Sequence, residues 1–392
     1  MRLPLIKARL GGRRRTRKSA RAPDLGLASG AELALEPLDD LDGARGEWAQ
    51  LALSSENVFA TWEWASIWWR HFGAGNELAT WAGRDDSGKL RTILPLYRSR
   101  GRPIRTMRFL GHGPGDRLGP VCAPADRDVA ASALRHALND RRDWDIFLGE
   151  TLPGEHAWGA TLGAPCLRRE DSPTLRSEGR TWDEFVASRS ANFREQLRRR
   201  ERKLAREHEL RYRLTSGPAD LDGDLDILFA LHRARWNPDG SEPTAFVRHE
   251  AFHREFAASA LERGWLRLWV MELDGRAVAA WYGFRYGGAE WYYQAGRAPS
   301  GERQSVGFVL LAHTLRETFN DGLREYKLLR GREPYKARFA ENDCGLETIA
   351  LARGARGQAA LASIRVARSM PAVGRRALRT LASAGGARAR PG

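Results

Sequence analysis

A dense group of charged and phenolic side chains follows a strand-like segment near the end of the sequence. Residues 324–329 are apolar enough for a central strand, and the chain continues as RGREPYKARF. Ligands of open α/β sheets bind at the carboxyl ends of the strands, so this segment is predicted to lie at a functional site. Pro334 is expected to end the strand. The phenol of Tyr335 and the carboxylate of Glu333 are then candidates for proton transfer to and from a substrate.

Three cations of the same segment are candidates for anion binding. We predict that Lys336, Arg338 and Arg330 hold phosphate or carboxylate groups of a substrate. The alternative is a surface loop whose side chains form salt bridges with one another. Glu290, in the preceding strand-like segment at 290–296, is a second candidate for a catalytic carboxylate.

A second candidate site lies between the strand-like segment EWYYQAG and a predicted helix at about 307–320. The first amides of a helix have no partner within the helix and, together with the helix dipole, attract anions. Glycine lets an anion approach the backbone closely. The predicted diphosphate loop consists of Arg303, Gln304, Ser305, Val306 and Gly307. The alternative is an ordinary helix start with Ser305 as the N-cap.

The first half of the chain holds weaker signals. The loop at 111–120, GHGPGDRLGP, either makes turns or presents His112 and Asp116 to a substrate. The loop at 124–128 matches the predicted diphosphate loop in position, but its two acids and lack of glycine should repel a diphosphate. His249–His253 has the HExxH spacing of zinc proteases. Its flanks are charged and no third ligand follows, so we predict no metal.

These segments belong to two similar halves of the chain. Asp40–Gly43 and Asp220–Gly223 both read DLDG, and each precedes a helical pattern. In both halves a tryptophan-containing strand, a hairpin turn and a second strand follow, and later an amphipathic helix leads into another strand. The sequence therefore predicts an α/β (mixed α+β) fold of two tandem domains, each a mixed, largely antiparallel sheet flanked by helices.

Charge and composition suggest how the domains are bounded. We predict a basic disordered tail at 1–30, domains at 31–175 and 180–350, and a basic, partly amphipathic tail at 351–392. Residues 1–22 and 351–392 hold nine basic residues each and no acid, so without them the formal charge of +15 becomes slightly negative. Such tails are usually solvated, and some contact anionic lipid or RNA.

A strongly basic helix is predicted between the two similar halves, at the start of the second domain. Residues 189–213 contain ten basic and four acidic residues. Phe193, Leu197 and Leu204 give this segment a thin apolar face, so it should pack on one side only.

The location of the protein is predicted from its cysteines and apolar runs. Three dispersed cysteines indicate a reducing compartment and argue against a disulfide framework. The N-terminal segment lacks the apolar core of a signal peptide, and no apolar run reaches the ~18 residues that span a bilayer. We expect a cytoplasmic protein, with the basic tails contacting the inner face of an anionic membrane as a further expectation.

The sequence resembles the GNAT-superfamily acyltransferases of the CelD/BioF2-like type, which are related to FemAB-like aminoacyltransferases. The resemblance rests on FATWEWASIWWRHFG, NFREQLRRRERKL, RLWVMELDGRAVAAWYGFRYGG and GREPYKARF, which together span about residues 59–340. It implies two tandem GNAT-like domains and a Q/R-x-x-G-x-G/A loop for the diphosphate of CoA. Gln304 and Gly307 fit this loop, and Val309 stands where its last small residue belongs.

The resemblance implies an acyl-CoA-dependent N-acyltransferase, with acetyl-CoA or another acyl-CoA as donor. Its acceptor would be an amine of a sugar nucleotide, a polysaccharide or another cell-envelope precursor. In this hypothesis the diphosphate lies on residues 303–307 and Tyr335 protonates the departing thiolate, while Glu333, Glu290 or water deprotonates the amine. Two alternatives stay open: a FemAB-like aminoacyltransferase that uses aminoacyl-tRNA, and a catalytically inactive module associated with the cell envelope.

Overall fold

The structure is a computed structural model, and it describes six stretches of the chain, residues 33–101, 103–237, 239–240, 242–299, 305–340 and 344–369. The predicted tail at 1–30 lies outside the described residues, as do Arg303 and Gln304 of the predicted diphosphate loop. The part of the predicted C-terminal tail that follows Ser369 lies outside them as well.

The described residues form strands and helices in both halves of the chain. The strands of the first half are β1 (Ala34–Leu38), β2 (Asn76–Leu78), β3 (Thr80–Arg84), β4 (Leu90–Leu94), β5 (Leu96–Ser99), β6 (Thr106–Phe109), β7 (Val121–Cys122), β8 (Ile146–Pro153) and β9 (Cys166–Glu170). The later strands are β10 (Thr174–Arg176), β11 (Leu210–Leu214), β12 (Leu266–Leu273), β13 (Arg276–Tyr286), β14 (Ala289–Arg297), β15 (Glu325–Lys327) and β16 (Leu346–Ala352). The helices are α1 (Arg45–Ser55), α2 (Trp62–Phe72), α3 (Arg127–Asp140), α4 (Trp158–Leu162), α5 (Trp182–Ala187), α6 (Ala191–Glu207), α7 (Pro218–Trp236), α8 (Ala245–Arg248), α9 (Glu250–Glu262), α10 (Val306–Asn320) and α11 (Gly354–Ser369).

The second half of the chain builds a six-stranded sheet in the order β10-β15-β14-β13-β12-β11. Strands β11 to β14 are antiparallel neighbours. The turn between β12 and β13 is Asp274-Gly275, with φ angles of 52° and 73°. Tight hairpins favour residues that tolerate positive φ, and Asp-Gly is such a pair. The hairpin predicted at this turn is confirmed.

The two faces of this sheet pack against different partners. Trp281 of β13 lies in a core with α5, α6 and α10, whereas the next residue, Tyr282, lies in a core shared with α7, α9 and the first half. Successive side chains of a strand point to opposite faces of the sheet, so these two neighbours enter different cores. On α6, Phe193, Leu197 and Leu204 are buried, so the predicted thin apolar face is confirmed.

The first half forms two pieces of sheet from strands that a proline separates. One piece has the order β1-β3-β4-β7, and the other has the order β2-β5-β6-β8-β16-β9. Pro95 lies between β4 and β5 and has no amide hydrogen to donate to a ladder. Its carbonyl oxygen still accepts a hydrogen bond from the Leu110 amide, at 2.7 Å. Helix α3 follows β7 and leads to β8, the same order in which α10 follows β14 and leads to β15.

The two halves exchange one strand each. Strand β10, at the end of the predicted first domain (31–175), pairs with β15. Strand β16 pairs with both β8 and β9 of the first half, although 180–350 was the predicted second domain. Its residues Ile349 and Ala350 are fully buried there. The last strand that the second half contributes to its own sheet, β15, therefore ends at Lys327. One edge strand of that sheet, β10, comes from before residue 180.

The predicted C-terminal tail begins as a packed helix. Leu361 of α11 is buried against Ile146 and Leu148 of β8. This apolar contact holds the basic helix on the outer side of the first half. Among the described helices, none is both long enough and apolar enough to cross a membrane.

The HExxH segment belongs to α9, which joins the two halves. Trp64 of α2 contacts the ring edges of Phe252 and Phe256, with centroids 5.0 and 4.6 Å apart. His253 is buried in the same cluster, and burial lowers its pKa well below the ordinary value. Within the described part of the chain, no group of three or more His, Cys, Asp or Glu side chains is arranged to hold a metal ion. The segment therefore serves packing in this structure.

Candidate functional site

A gap opens between β14 and β15 in the sheet of the second half. The two strands pair in parallel over only three residue pairs, the last of which is Trp291 with Lys327. Beyond this point β14 continues to Arg297, whereas the segment after β15 leaves the sheet because Leu329 adopts a left-handed conformation (φ 53°). The sequence predicts a strand to residue 329 that Pro334 ends. The ladder ends earlier, at Lys327, because the turn at Leu329 precedes the proline.

The gap leads into a cavity of about 260 Å³, which we call the β14 pocket. Small residues of β13 and β14 line one side, including Ala279 and Gly296. The first turn of α10, with Gly307, lines another side. Aromatic side chains complete the walls, namely Trp281, Tyr292, Phe308 and Tyr335. The pocket thus joins a helix N-terminus to the loop that carries Tyr335.

Four arginines line the β14 pocket, Arg200, Arg235, Arg297 and Arg338, and its described lining contains no carboxylate. Arg200 and Arg338 both lie over the ring of Phe308, with guanidinium carbons 4.7 and 5.2 Å from the ring centroid. Burial lowers the pKa of Arg200, and the nearby charge of Arg338 lowers that pKa further. Like charges held close together disfavour one another. A bound polyanion would relieve this repulsion.

Two phenols meet at the mouth of the gap. The Tyr335 hydroxyl lies 3.4 Å from the Tyr292 hydroxyl and donates to it. Burial raises the pKa of Tyr335 far above its ordinary value, and the adjacent Tyr292 raises it further. Tyr335 therefore stays protonated at neutral pH and can act as a hydrogen-bond donor within the pocket. Sequence reasoning missed Tyr292, although the doublet Tyr292-Tyr293 interrupts the alternation of β14 at a bulge.

Lys336 and Glu333 hold the loop itself. The Lys336 ammonium donates to the carbonyl oxygens of Leu329 and Arg330, at 3.3 and 2.7 Å, and lies 3.0 Å from Glu333 Oε2. Burial lowers the pKa of Lys336, while the Glu333 charge opposes this lowering. Only 4% of Lys336 is exposed, so the predicted contact with a substrate anion is replaced by an anchoring role. Glu333 forms an ion pair with this anchor and does not line the β14 pocket.

The start of α10 differs from an ordinary capped helix. Ser305 occupies the N-cap position in a left-handed conformation (φ 59°), and its side chain makes no capping hydrogen bond. Val306 is fully buried and supports the turn from below. A Cβ added to Gly307 would meet only Arg297 Cδ, at 3.5 Å, so the space in front of the first turn is open.

Glu290 lies away from the β14 pocket. Its carboxylate is 1% exposed and contacts Arg267 Nε at 3.1 Å and Arg285 Nε at 3.2 Å. Burial raises the pKa of Glu290, and the two arginines oppose this rise. Arg285 also binds Asp321, which caps the far end of α10. Glu290 does not line the pocket, although Tyr292, two residues further along the same strand, does. Because its buried carboxylate is paired with Arg267 and Arg285, Glu290 is removed from the catalytic candidates.

The three remaining substrate candidates, Arg330, Asp116 and His112, do not line the pocket. Asp116 Oδ2 accepts from the Arg330 amide at 3.3 Å, and its Oδ1 lies 3.4 Å from Arg330 Nε. His112 belongs to a separate group and lies 3.1 Å from Glu150 Oε2. The structure therefore brings Asp116 to Arg330 and places His112 apart from them. Of Arg330, Lys336 and Arg338, which the structure describes, Arg338 alone lines the β14 pocket.

The sequence of the second half matches a known family. Residues 191–337 match the family model described as "Acetyltransferase (GNAT) domain". These residues form a GNAT acetyltransferase domain. The GNAT domain begins with α6 and ends in the loop that carries Tyr335, and it contains β13, β14 and the first turn of α10. The match gives the second half of the chain an acyltransferase domain, and the residues of the β14 pocket from Arg200 to Tyr335 lie within it.

Solved structures share the fold over most of the chain. FemX has a TM-score of 0.60 at 10% identity, with 84% of this chain and 100% of that chain covered. The C-terminal domain of a protein assigned as a lysylphosphatidylglycerol synthetase from Agrobacterium fabrum has a TM-score of 0.54 at 12% identity, covering 83% and 96%. A conserved protein of unknown function from Bacteroides thetaiotaomicron has a TM-score of 0.53 at 13% identity, covering 82% and 100%.

These likenesses extend across both halves of the chain. The fold is therefore a mixed α/β fold of two tandem GNAT-like domains, as predicted. A comparison with curated proteins gives no significant match. At identities of 10–13% the solved structures establish the fold and leave the substrate to be argued from the site.

Proposed function

We propose that the chain is an acyl-CoA-dependent N-acyltransferase and that the β14 pocket binds the acyl-CoA. For the acceptor we propose an amine of a sugar nucleotide, a polysaccharide or another cell-envelope precursor, which is what the resemblance to CelD/BioF2-like proteins suggests. The observation that carries the proposal is the gap between β14 and β15, which leads to the N-terminus of α10. Four arginines line the pocket there, and its described lining contains no carboxylate.

The chemistry of CoA fits the two parts of this gap. Beyond Trp291 the edge of β14 lacks its parallel neighbour, so N–H and C=O groups on that edge are available to an extended ligand. The Ala295 carbonyl is an exception, since it lies 3.2 Å from His232 Nδ1. The pantetheine arm carries two amides and can pair with such an edge as an added strand would. Its diphosphate then lies at the first turn of α10, where Gly307 leaves room. Arg200 and Arg338 lie beside that turn and supply positive charge.

The proposed reaction needs little from the protein besides binding and one donor. The amine nitrogen attacks the thioester carbonyl, the carbon–sulfur bond breaks, and the proton lost by the amine balances the proton gained by the thiol. Tyr335 donates a hydrogen bond to the sulfur as negative charge develops on it. Its strongly raised pKa disfavours full transfer of the phenol proton. Since no carboxylate lines the described pocket, we assign deprotonation of the amine to water.

Calorimetry with matched glycine variants tests the donor site. Acetyl-CoA is titrated into the full chain, into Gly307→Glu and into Gly46→Glu. Gly46 lies on the exposed surface of α1, and a Cβ there would meet no atom within 4 Å, so this control adds the same charge harmlessly. We expect Gly307→Glu to weaken binding at least about tenfold, because its carboxylate occupies the diphosphate site. Absence of binding to the natural chain, or equal binding to all three proteins, would sink the proposal.

A second candidate function uses aminoacyl-tRNA as the donor, and helix α6 supports it. Arg198, Arg199 and Arg202 are exposed on α6, and none forms an ion pair with a residue that the structure describes. They flank Arg200, which reaches the β14 pocket. A cationic face of this kind can follow a phosphate backbone into the site.

Reversing these charges separates the two donors. If the donor is aminoacyl-tRNA, replacing Arg198, Arg199 and Arg202 by glutamate should abolish tRNA binding and flatten its dependence on salt. Acetyl-CoA binding should change little in the same variant, because these side chains do not line the pocket. Salt-independent tRNA binding, or none, would remove this candidate.

For the location we propose the cytoplasm, with the basic tails near the inner face of the membrane. Cys122 is buried, while Cys166 and Cys344 are exposed, and all three are free thiols. Exposed free thiols are typical of a reducing compartment.

A further inference from the structure

A second cavity lies at the junction of the two halves. It has a volume of about 140 Å³, and we call it the junction cavity. Lys327 and Trp291 line it from the second half, and Arg127, Gly119 and Trp158 line it from the first half. A single water molecule needs about 10–15 Å³ of such space, so the cavity has room for several waters or a phosphate-sized group.

The cavity is the counterpart, in the first half, of the β14 pocket. Arg127 begins α3, which follows β7 as α10 follows β14. The loop at 124–128, before α3, carries two acids, and from the sequence alone these are expected to repel an anion. The structure removes one of them from consideration, because Asp126 Oδ1 accepts from Arg91 Nη2 at 2.5 Å. The other, Asp128, is exposed and does not line the cavity.

Most charges around the cavity are already matched. Lys327 Nζ donates to Glu325 Oε2 at 2.5 Å, and Arg117 forms an ion pair with Glu155. Arg127 is the exception: it forms no ion pair or hydrogen bond with any residue in the described part of the chain. Burial lowers the pKa of His156 to about 4, and the Arg127 charge contributes to that lowering. The histidine is therefore neutral and offers Arg127 no counter-charge.

A buried donor beside the cavity also lacks an acceptor. Trp158 is 3% exposed, and its indole N–H has no hydrogen-bond partner among the described residues. Gly119 lies next to this N–H, since a Cβ added there would come within 3.5 Å of Trp158 Nε1. A buried donor without a partner is costly, and so is a guanidinium held at a cavity without a counter-ion. One anion can satisfy both groups.

We propose that the junction cavity binds a phosphoryl group, either as free phosphate or as part of a small phosphorylated molecule. The guanidinium of Arg127, the ammonium of Lys327 and the indole N–H of Trp158 recognise it. A tetrahedral anion with several acceptor oxygens suits donors that approach from both halves. The described linings of the junction cavity and the β14 pocket share no residue, so this site is separate from the donor site. Because the ligand contacts both halves, its binding stabilises the folded chain.

The test titrates inorganic phosphate and glycerol phosphate into the full chain by calorimetry, with thermal unfolding as a second readout. All titrations use the Gly307→Glu background, so that phosphate binding at α10 does not contribute. Arg127→Gln removes the unmatched charge. Arg135→Gln, on the same helix α3, is the matched control, since Arg135 is exposed and bonds to the Thr161 carbonyl.

We expect phosphate to bind and raise the melting temperature in this background. Arg127→Gln should weaken binding at least about tenfold, as loss of a charge-assisted contact predicts, and Arg135→Gln should leave it unchanged. Whichever of the two phosphates binds more tightly identifies the source of the phosphoryl group. Equal binding with and without Arg127, or no binding in the Gly307→Glu background, would overturn the proposal. Neither result depends on whether the β14 pocket binds acyl-CoA.

Discussion

Replacing Tyr335 with phenylalanine removes the single hydroxyl that we assign to the departing thiolate. In the structure this hydroxyl lies 3.4 Å from that of Tyr292, and burial keeps it protonated by raising its pKa. Removing such a donor typically lowers turnover about 10²–10³-fold, which corresponds to about 3–4 kcal/mol of transition-state stabilisation. The effect on folding should be smaller. A neutral hydrogen bond contributes about 0.5–1.5 kcal/mol, and one of 3.4 Å belongs at the lower end.

Tyr292→Phe provides the matched control for this prediction. It removes the same hydrogen bond from the other side and leaves the Tyr335 hydroxyl in place. The assay measures thiol release from acetyl-CoA with a panel of amine acceptors, alongside calorimetric affinity for acetyl-CoA and melting temperature. Both variants should lose similar, small amounts of stability and retain donor affinity, and only Tyr335→Phe should lose turnover about a hundredfold or more. Equal turnover in the two variants would refute the role of Tyr335.

Three further predictions follow from the same structure. Arg200→Gln should raise the dissociation constant for acetyl-CoA about three- to tenfold, and more at low salt. Arg198→Gln, on the exposed face of α6, should leave this constant unchanged. Equal effects of the two substitutions would contradict the pocket assignment. Lys336→Met should lower the melting temperature by several degrees, because it leaves the carbonyls of Leu329 and Arg330 without a donor. The KM for the acceptor should stay unchanged. A raised KM at unchanged stability would restore the predicted role of Lys336 in substrate binding. Burial lowers the pKa of His232 to about 4 in the folded chain. The stability that the neutral histidine provides is therefore complete above about pH 6.5. About 3 kcal/mol of this stability is lost as pH falls toward 4. His232→Gln should make the loss of stability on acidification smaller, as followed by urea unfolding at several pH values, and an unchanged loss would show that His232 does not titrate in this way.

The sequence carries enough information for the repeated architecture and for the position of the pocket. Helical and strand periodicities indicate two similar halves, and the hairpin at Asp274-Gly275 follows from turn chemistry. The approach of α10 to the site follows from its place after a strand and from Gly307. These features are local, or repeat with a fixed order, so a single sequence expresses them.

The exchange of strands between the halves is not visible in the sequence. Strand β10 has three residues, and β16 follows a segment that reads as the end of the second domain. Edge pairing of a short apolar strand depends on which sheet has an open edge, and no local pattern encodes this. Glu290 likewise reads as a catalytic carboxylate until Arg267 and Arg285, on two other segments of sequence, are seen to enclose it.

The arginines of the β14 pocket show the same limit. Arg200 belongs to a basic helix on which Arg198, Arg199 and Arg202 face solvent. Its role becomes clear only because its guanidinium lies over the ring of Phe308 of α10. Arg235 reaches the pocket from the end of α7. A charge count identifies α6 as basic, but only the crossing of α6 over α10 selects which arginine enters the site.

A crystal structure of the full chain at saturating CoA tests the central claim most directly. The account predicts the diphosphate at the first turn of α10, in contact with the amide of Gly307 and near Arg200 and Arg338. It also predicts the pantetheine arm along the free edge of β14, with the thiol close to the Tyr335 hydroxyl. CoA bound elsewhere on the chain, or an empty gap between β14 and β15 at saturating CoA, would contradict the account.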